Sequence, residues 1–310
     1  LRKIGIIGLG HVGAALAYTL VTKGIADELV LIDRNDQVAH GEKLDLEDTQ
    51  AGLTTHTQII IQDYWQLRDA DIVVIAAGNI SIFDSGVNIQ QAELRVASQI
   101  IAEAAPQIML SGFNGILLNI TNPCDVSTTY LQRLTNLPHQ QVLGTGTLLD
   151  TMRMRRAIAE ELSISPKDVS GYTLGAHRKA QFTAWSTITV GTQPIKHALA
   201  QHCTDLVALE KAIHDRAWQI IDGKGFSSYG IAGATITLIQ AIYSDAHVTL
   251  PVSSWNTDHQ LYIGQPTMIG RTGALRVVDI DLPQEEQAAF NHSASYIQQN
   301  LDLMVASSPQ

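Results

Sequence analysis

The run Gly8-Leu9-Gly10-His11-Val12-Gly13 constrains this chain more than any other feature, because of what flanks it. Lys3 to Ile7 before it read as a short apolar strand, and Ala14 to Thr22 after it as a buried helix rich in alanine and leucine. In that setting Gly8 permits a tight turn, Gly10 lets a pyrophosphate approach the backbone, and Gly13 lets helix and strand pack closely. The helix N-terminus then presents free N–H groups to phosphate oxygens. Leu29 to Ile32 read as a second strand that ends on Asp33, 20 residues after Gly13. A carboxylate there accepts hydrogen bonds from both ribose hydroxyls of NAD and repels the extra phosphate of NADP. Arg34, next in the chain, would attract that phosphate, so one charge dissents from the choice of NAD. A glycine turn with no nucleotide is the bland alternative, and strand, glycines, helix and acid in one register argue against it.

Further apolar strands are expected at Gln58 to Ile61, Asp71 to Ala77 and Gly115 to Ile120, with helices at Glu42 to Ala51 and Ile89 to Gln107. Apolar strands alternating with helices indicate a doubly wound parallel sheet covered on both faces, the Rossmann arrangement. The pattern changes after Gly144. Helices are expected at Thr147 to Leu162, Val207 to Ile221, Tyr229 to Ser244 and Pro283 to Val305. Strands are expected at Gln181 to Val190, Ala246 to Ser254, Leu261 to Ile263 and Leu275 to Ile280. The chain therefore divides into an α/β cofactor domain, 1–144, and a second α+β domain, 145–310. Gly78 to Asn88 is a polar connection between strand and helix, suited to a mobile lid.

Composition narrows the function classes. At 45% hydrophobic residues the chain can fill a core. A formal charge of −10 and no long basic run argue against a nucleic-acid partner. No apolar run reaches the ~18 residues of a membrane span, and the chain opens on a strand pattern, so no signal peptide is expected. The two cysteines, Cys124 and Cys203, lack CxxC spacing, and the 11 histidines are scattered, so no metal site is expected. A reduced, cytoplasmic compartment is the simplest reading. His11, in the glycine turn, is expected to face solvent, with contact to phosphates as the alternative.

Five segments carry a resemblance: Ile4 to Gly10, Thr121-Asn122-Pro123-Cys124-Asp125-Val126, Gly144 to Asp150, Ser170 to His177, and Gly223 to Gly230. In order and spacing across nearly the whole chain they resemble the L-lactate/malate dehydrogenase superfamily, most like its L-2-hydroxyisocaproate dehydrogenase branch. The resemblance implies reversible, NAD-dependent hydride transfer between a 2-oxo acid and an L-2-hydroxy acid. It implies that His177 is the catalytic acid–base, a task suited to an imidazole titrating near working pH, and that Asp150 orients it. It also implies that Arg153, three residues on and on the same helical face, grips the substrate carboxylate through two parallel bonds. Asn122 is implied to bond the reacting oxygen and lie beside the cofactor, as does Gly78, and Ser227 to stand beside the substrate. A homo-oligomer, dimer or tetramer, is implied as well.

The pattern breaks in two places. The family's second catalytic arginine, where loop meets helix, falls on Gln90. A glutamine donates a hydrogen bond without a charge, and loss of a charged oxyanion stabiliser costs ~10²–10³-fold in rate. Around His177 the family reads Gly-Glu-His-Gly, whereas this chain reads Gly175-Ala176-His177-Arg178-Lys179-Ala180. Glycine after the histidine relieves a backbone constraint that Arg178 does not. Two cations beside His177 disfavour its protonated form, unless Arg178 swings in to supply the missing charge or both point to solvent. At the fructose-bisphosphate site of allosteric relatives, Arg155 is present but Ser170 replaces a histidine, so no such activation is expected. Ile80 to Asn88 contains no arginine, which argues against malate, and Ile80, Ile82 and Phe83 suit a bulky side chain. Two functions stay open: an L-2-hydroxyacid dehydrogenase, or a weak or inactive NAD-binding paralogue that acts as a sensor or binding subunit.

Overall fold

The computed structural model describes residues 1–78, 89–202 and 205–307. The first part alternates strand and helix: β1 (Lys3–Ile7), α1 (His11–Thr22), β2 (Glu28–Ile32), α2 (Asp36–Gln50), β3 (Gln58–Ile61), β4 (Ile72–Ile75), α3 (Ile89–Leu110), β5 (Ile116–Asn119), α4 (Cys124–Thr135) and β6 (Val142–Gly144). Then follow α5 (Leu148–Leu162), β7 (Val169–Ser170), β8 (Thr173–Ala176), β9 (Ala180–Thr183), β10 (Thr189–Val190), β11 (Gln193–Pro194), α6 (Ile195–His202) and α7 (Leu206–Lys224). The last elements are α8 (Tyr229–Tyr243), β12 (Val248–Asn256), β13 (Leu261–Gly270), β14 (Gly273–Val277) and α9 (Gln284–Ala306).

β1 to β6 form a parallel sheet in the order β3-β2-β1-β4-β5-β6. Every residue of β1, β4 and β5 is buried, as a sheet covered on both faces requires. On one face Ile4, Ile6, Leu29, Leu31 and Val74 pack with Leu16 and Leu20 of α1 and with α8. On the other, Val30, Val73, Ile75 and Leu117 pack with Ala97, Ile101 and Ala105 of α3 and with α4. The strand order reverses between β2-β1 and β1-β4. Chains of this type bind ligands at the carboxyl ends of the strands beside that reversal.

The sheet does not stop at Gly144. Gly144 pairs antiparallel with Ser253 of β12, and the sheet runs on through β13, β8 and β9, with β14 on β13. Parallel and antiparallel halves thus share one sheet. Residues of α5, α6 and α7, with Val169 and Ile188, form a separate apolar cluster beside a small sheet of β7, β10 and β11.

Several elements differ from the expectations. The single strand expected at Gln181 to Val190 is β9, a 3-10 turn at Trp185–Thr187 and then β10. Thr187 donates both its N–H and its hydroxyl to Ala184 O, which turns the chain. The strand expected at Leu261 to Ile263 runs on to Gly270, and its Pro266 stands opposite Pro251 of β12. Helix α2 begins at Asp36, because Asn35 Oδ1 caps the Gln37 N–H at 3.0 Å. Helix α4 was not anticipated. Its Thr128, Thr129 and Thr135 hydroxyls bond carbonyls four residues back, which lets polar side chains stay buried in it.

Gly144 is tightly enclosed: a Cβ there would lie 2.6 Å from Thr128 Oγ1 and 2.8 Å from Ser253 Cβ. Gly144→Val is expected to destabilise the fold by about 1–3 kcal/mol or more in urea denaturation. Gly41→Ala, in α2 with nothing within 4 Å of the new Cβ, is expected to stabilise it by ~0.5–1 kcal/mol.

Candidate active site

The glycine turn joins β1 to α1. Gly8 has φ +97°, and a Cβ on it would lie 2.5 Å from the Ala77 backbone. A Cβ on Gly13 would fall 1.9 Å from Gly8 O, so helix and turn touch there. Gly10 differs from both. Nothing lies within 4 Å of a Cβ built on it, and it lines a cleft. Two glycines are thus required by packing, and the third leaves room for a ligand. Asp33 Oδ2 accepts from the Leu9 N–H at 2.7 Å and Oδ1 from the Asn35 N–H at 2.9 Å. The carboxylate is therefore held against the turn, while Arg34 is exposed. These residues fit a dinucleotide. Gly78 and Asn122 line the same cleft. His11 is exposed, but its ring stacks on Phe226 at 3.7 Å and 1° between planes, a contact the sequence reading missed.

The far wall of the cleft carries Arg153, His177 and Ser227. Asp150 and Arg153 stand one turn apart near the start of α5, and His177 follows directly on β8. His177 Nδ1 lies 2.5 Å from Asp150 Oδ2, and Arg153 Nη1 donates to Asp150 Oδ1 at 3.2 Å. Both oxygens of this buried carboxylate are thus engaged. Burial alone would raise its pKa, but His177 and Arg153 more than reverse that and hold it below the usual carboxylate range. The arrangement fixes the imidazole orientation. Among the described residues no group of three or more His, Cys, Asp or Glu is arranged to hold a metal ion.

Asp125, in the first turn of α4, was not singled out as a site residue. Its Oδ2 accepts the His177 backbone N–H at 3.0 Å, so it pins the main chain of the histidine whose ring Asp150 holds. Burial pushes its carboxyl up to about 6, against the pull of the nearby Ser253 hydroxyl and that backbone N–H. Neither Asp125 Oδ1 nor Ser253 Oγ has a hydrogen-bond partner among the described residues. Only its place two residues after Asn122-Pro123 hinted at a role.

Gln90 is not brought to His177. Its Nε2 donates to Asn300 Oδ1 at 2.6 Å, its Oε1 accepts from Lys179 Nζ at 2.7 Å, and it is not among the described cleft-lining residues. Arg178 does line the cleft. It adopts φ +74°, a conformation that costs a side-chain-bearing residue ~1–2 kcal/mol. Its Nη1 is bound to Glu93 Oε1 at 2.8 Å, so the cation reaches the cleft as one half of an ion pair. Arg155 donates to Gly171 O at 3.3 Å, and Ser170 is exposed. Ile80, Ile82 and Phe83 lie outside the described residues.

Residues 2–144 match the lactate/malate dehydrogenase NAD-binding domain, and residues 147–308 match the α/β C-terminal domain of the same family. The chain is 35% identical to L-lactate dehydrogenase 1 of Bifidobacterium longum over 310 residues, which covers 97% of each chain. It is 34% identical to L-lactate dehydrogenase 2 of Listeria innocua, covering 97% of this chain and 98% of that one. The minor L-lactate dehydrogenase of Enterococcus mundtii, in its ligand-bound crystal structure, matches with a TM-score of 0.92 at 33% identity, over 97% of this chain and 98% of that one.

Two outcomes test the geometry. Gly10→Ala keeps an allowed backbone and open space, so thermal stability is expected to hold while NADH binding, read by fluorescence titration, weakens about tenfold or more. Asp125 carries a carboxyl raised from 3.8 to about 6 in the folded state. The folded protein holds this proton where the unfolded chain has lost it, so stability falls as pH rises from about 4 through 6. Relative to Asp125→Asn, which cannot ionise, the wild type is expected to lose ~2–3 kcal/mol between pH 4 and 7 in urea denaturation.

Proposed function

We propose that this chain, which belongs to the lactate/malate dehydrogenase family, is an NAD-dependent L-2-hydroxyacid dehydrogenase. The observation that carries this is the His177–Asp150–Arg153 chain, 2.5 Å and 3.2 Å between partners, placed on the same cleft as the open side of Gly10. The nicotinamide, when bound, supplies or takes the hydride. Gly8, Gly10, Gly13, Asp33 and Gly78 would hold the cofactor in the 1–144 part, and the 145–310 part would supply most of the substrate side.

Asp150 occupies Nδ1 of His177, which leaves Nε2 to hold the proton exchanged with the substrate oxygen. The buried carboxylate offsets the imidazolium charge before that proton is given up. Arg153 uses one nitrogen on Asp150 and keeps its other donors for the substrate carboxylate. Asn122 donates to the reacting oxygen, and Ser227 borders the substrate. A side chain larger than methyl suits the site, because the cleft continues past Arg153 toward Ile213 and Trp218 of α7; this agrees with the hydroxyisocaproate branch. The buried free thiol of Cys124 suits a reduced, cytoplasmic setting, and assembly as a homo-oligomer follows the family.

A second reading rests on Gln90. Its uncharged amide is engaged by Asn300 and Lys179, and Arg178 is paired with Glu93. Such a site favours a weak or inactive NAD-binding paralogue. NADH oxidation with pyruvate, 2-oxoisocaproate and phenylpyruvate across pH separates the two. Turnover of any of them supports the dehydrogenase, whereas tight NADH binding with no turnover leaves the paralogue. Given turnover, Gln90→Arg is expected to raise kcat by ~10²–10³-fold. His177→Asn is expected to lower it by ~10²–10⁴-fold with NADH binding retained.

A further inference from the structure

A recess opens off the cleft where Arg153 and Arg178 line both spaces. Its other walls are Lys179 and Gln181, in the turn and strand after His177, and Ile213 and Trp218 of α7. Asp150 is the one carboxylate among the described lining residues, and both its oxygens are already taken by His177 and Arg153. Arg153 and Arg178 are each paired with one carboxylate, Asp150 and Glu93, and Lys179 adds a third cation to the recess.

Their donors are not used up. Among the described residues Arg178 makes one side-chain hydrogen bond, Nη1 to Glu93, of the five donors on a guanidinium. Lys179 donates to Gln90 Oε1, a neutral acceptor, and has no acidic partner among the described residues. The apolar wall on the α7 side suits methylene groups, and cations with open donors at its edge suit an anion. Such charge-assisted contacts are stronger than neutral hydrogen bonds.

We propose that this recess is a subsite for a second anionic group on the substrate, so that the protein acts on 2-oxo acids that carry a distal carboxylate beyond an apolar spacer. This rests on the dehydrogenase reading. Arg153 holds the carboxylate next to the reacting carbon, the methylenes lie along Ile213 and Trp218, and Lys179 with Arg178 holds the distal carboxylate. These cations come from the segment after His177 and not from the 80–88 segment, which contains no arginine.

The test compares kcat/KM for five- and six-carbon 2-oxo dicarboxylates with 2-oxopentanoate and 2-oxohexanoate, in the wild type, Lys179→Met and Lys179→Arg. The wild type is expected to favour each diacid over its length-matched monoacid by about tenfold or more, with the ratio shrinking as salt is raised. Lys179→Met should bring the ratio close to one, and Lys179→Arg should restore most of it. A wild-type ratio of one or less, with the monoacids turned over, overturns the subsite and leaves the dehydrogenase standing. If no 2-oxo acid is turned over, the dehydrogenase reading falls, and calorimetric binding of the same acids to the NADH-loaded protein decides the subsite. Diacid binding that is lost in Lys179→Met supports it; equal binding of paired acids overturns it.

Discussion

The close contact at Gly144 is the constraint on which the cleft depends. With no side chain there, β6 approaches Thr128 of α4 and Ser253 of β12 closely enough for the parallel sheet to continue as an antiparallel one. Six residues later comes Asp150. Three strand pairings away across the same sheet, β12 to β13 to β8, comes His177. The sheet is thus the ruler that sets a helix-borne carboxylate 2.5 Å from an imidazole 27 residues distant. A loop would hold that spacing less well, because a strand in register has little freedom to shift.

Two buried carboxylates then divide the work of holding one histidine. Asp150 faces the ring and Arg153, and its partners keep it ionised despite burial. Asp125 faces the main chain of His177 with one oxygen unbonded, and burial raises its carboxyl. The contrast is one of partners more than of depth, since both side chains are almost fully buried. A carboxylate bonded by an imidazole and a guanidinium stays charged, whereas one with a single N–H and a nearby hydroxyl is poised to take up a proton.

The departures from the family pattern are connected in space. Gln90 and Glu93 start α3, and they bind Lys179 and Arg178 respectively. Helix α3 and the turn after β8 are therefore joined by two polar contacts, of which Gln90–Lys179 joins two positions that depart from the family pattern. Charge absent at Gln90 is present across that contact, at residues 178 and 179. Arg178 and Lys179 place that positive charge in the recess beside Arg153.

Much of this was legible in the chain itself. The glycine turn, the alternation of apolar strands and helices, and the acid at Asp33 are local patterns. Their physical causes, backbone freedom at glycine and burial on both sheet faces, act over a few residues. The i, i+3 pair Asp150 and Arg153 was readable for the same reason. Tertiary structure alone decided which distant groups meet. The stack of His11 on Phe226, the ion pair of Arg178 with Glu93, the turning of Gln90 to Asn300 and the contact of Asp125 with the His177 backbone join segments 52 to 215 residues apart or settle where a side chain points. No local propensity encodes such meetings. They follow from strand pairing and packing around Gly144, where the absence of a side chain, visible in the sequence, acquires its meaning only from what lies against it.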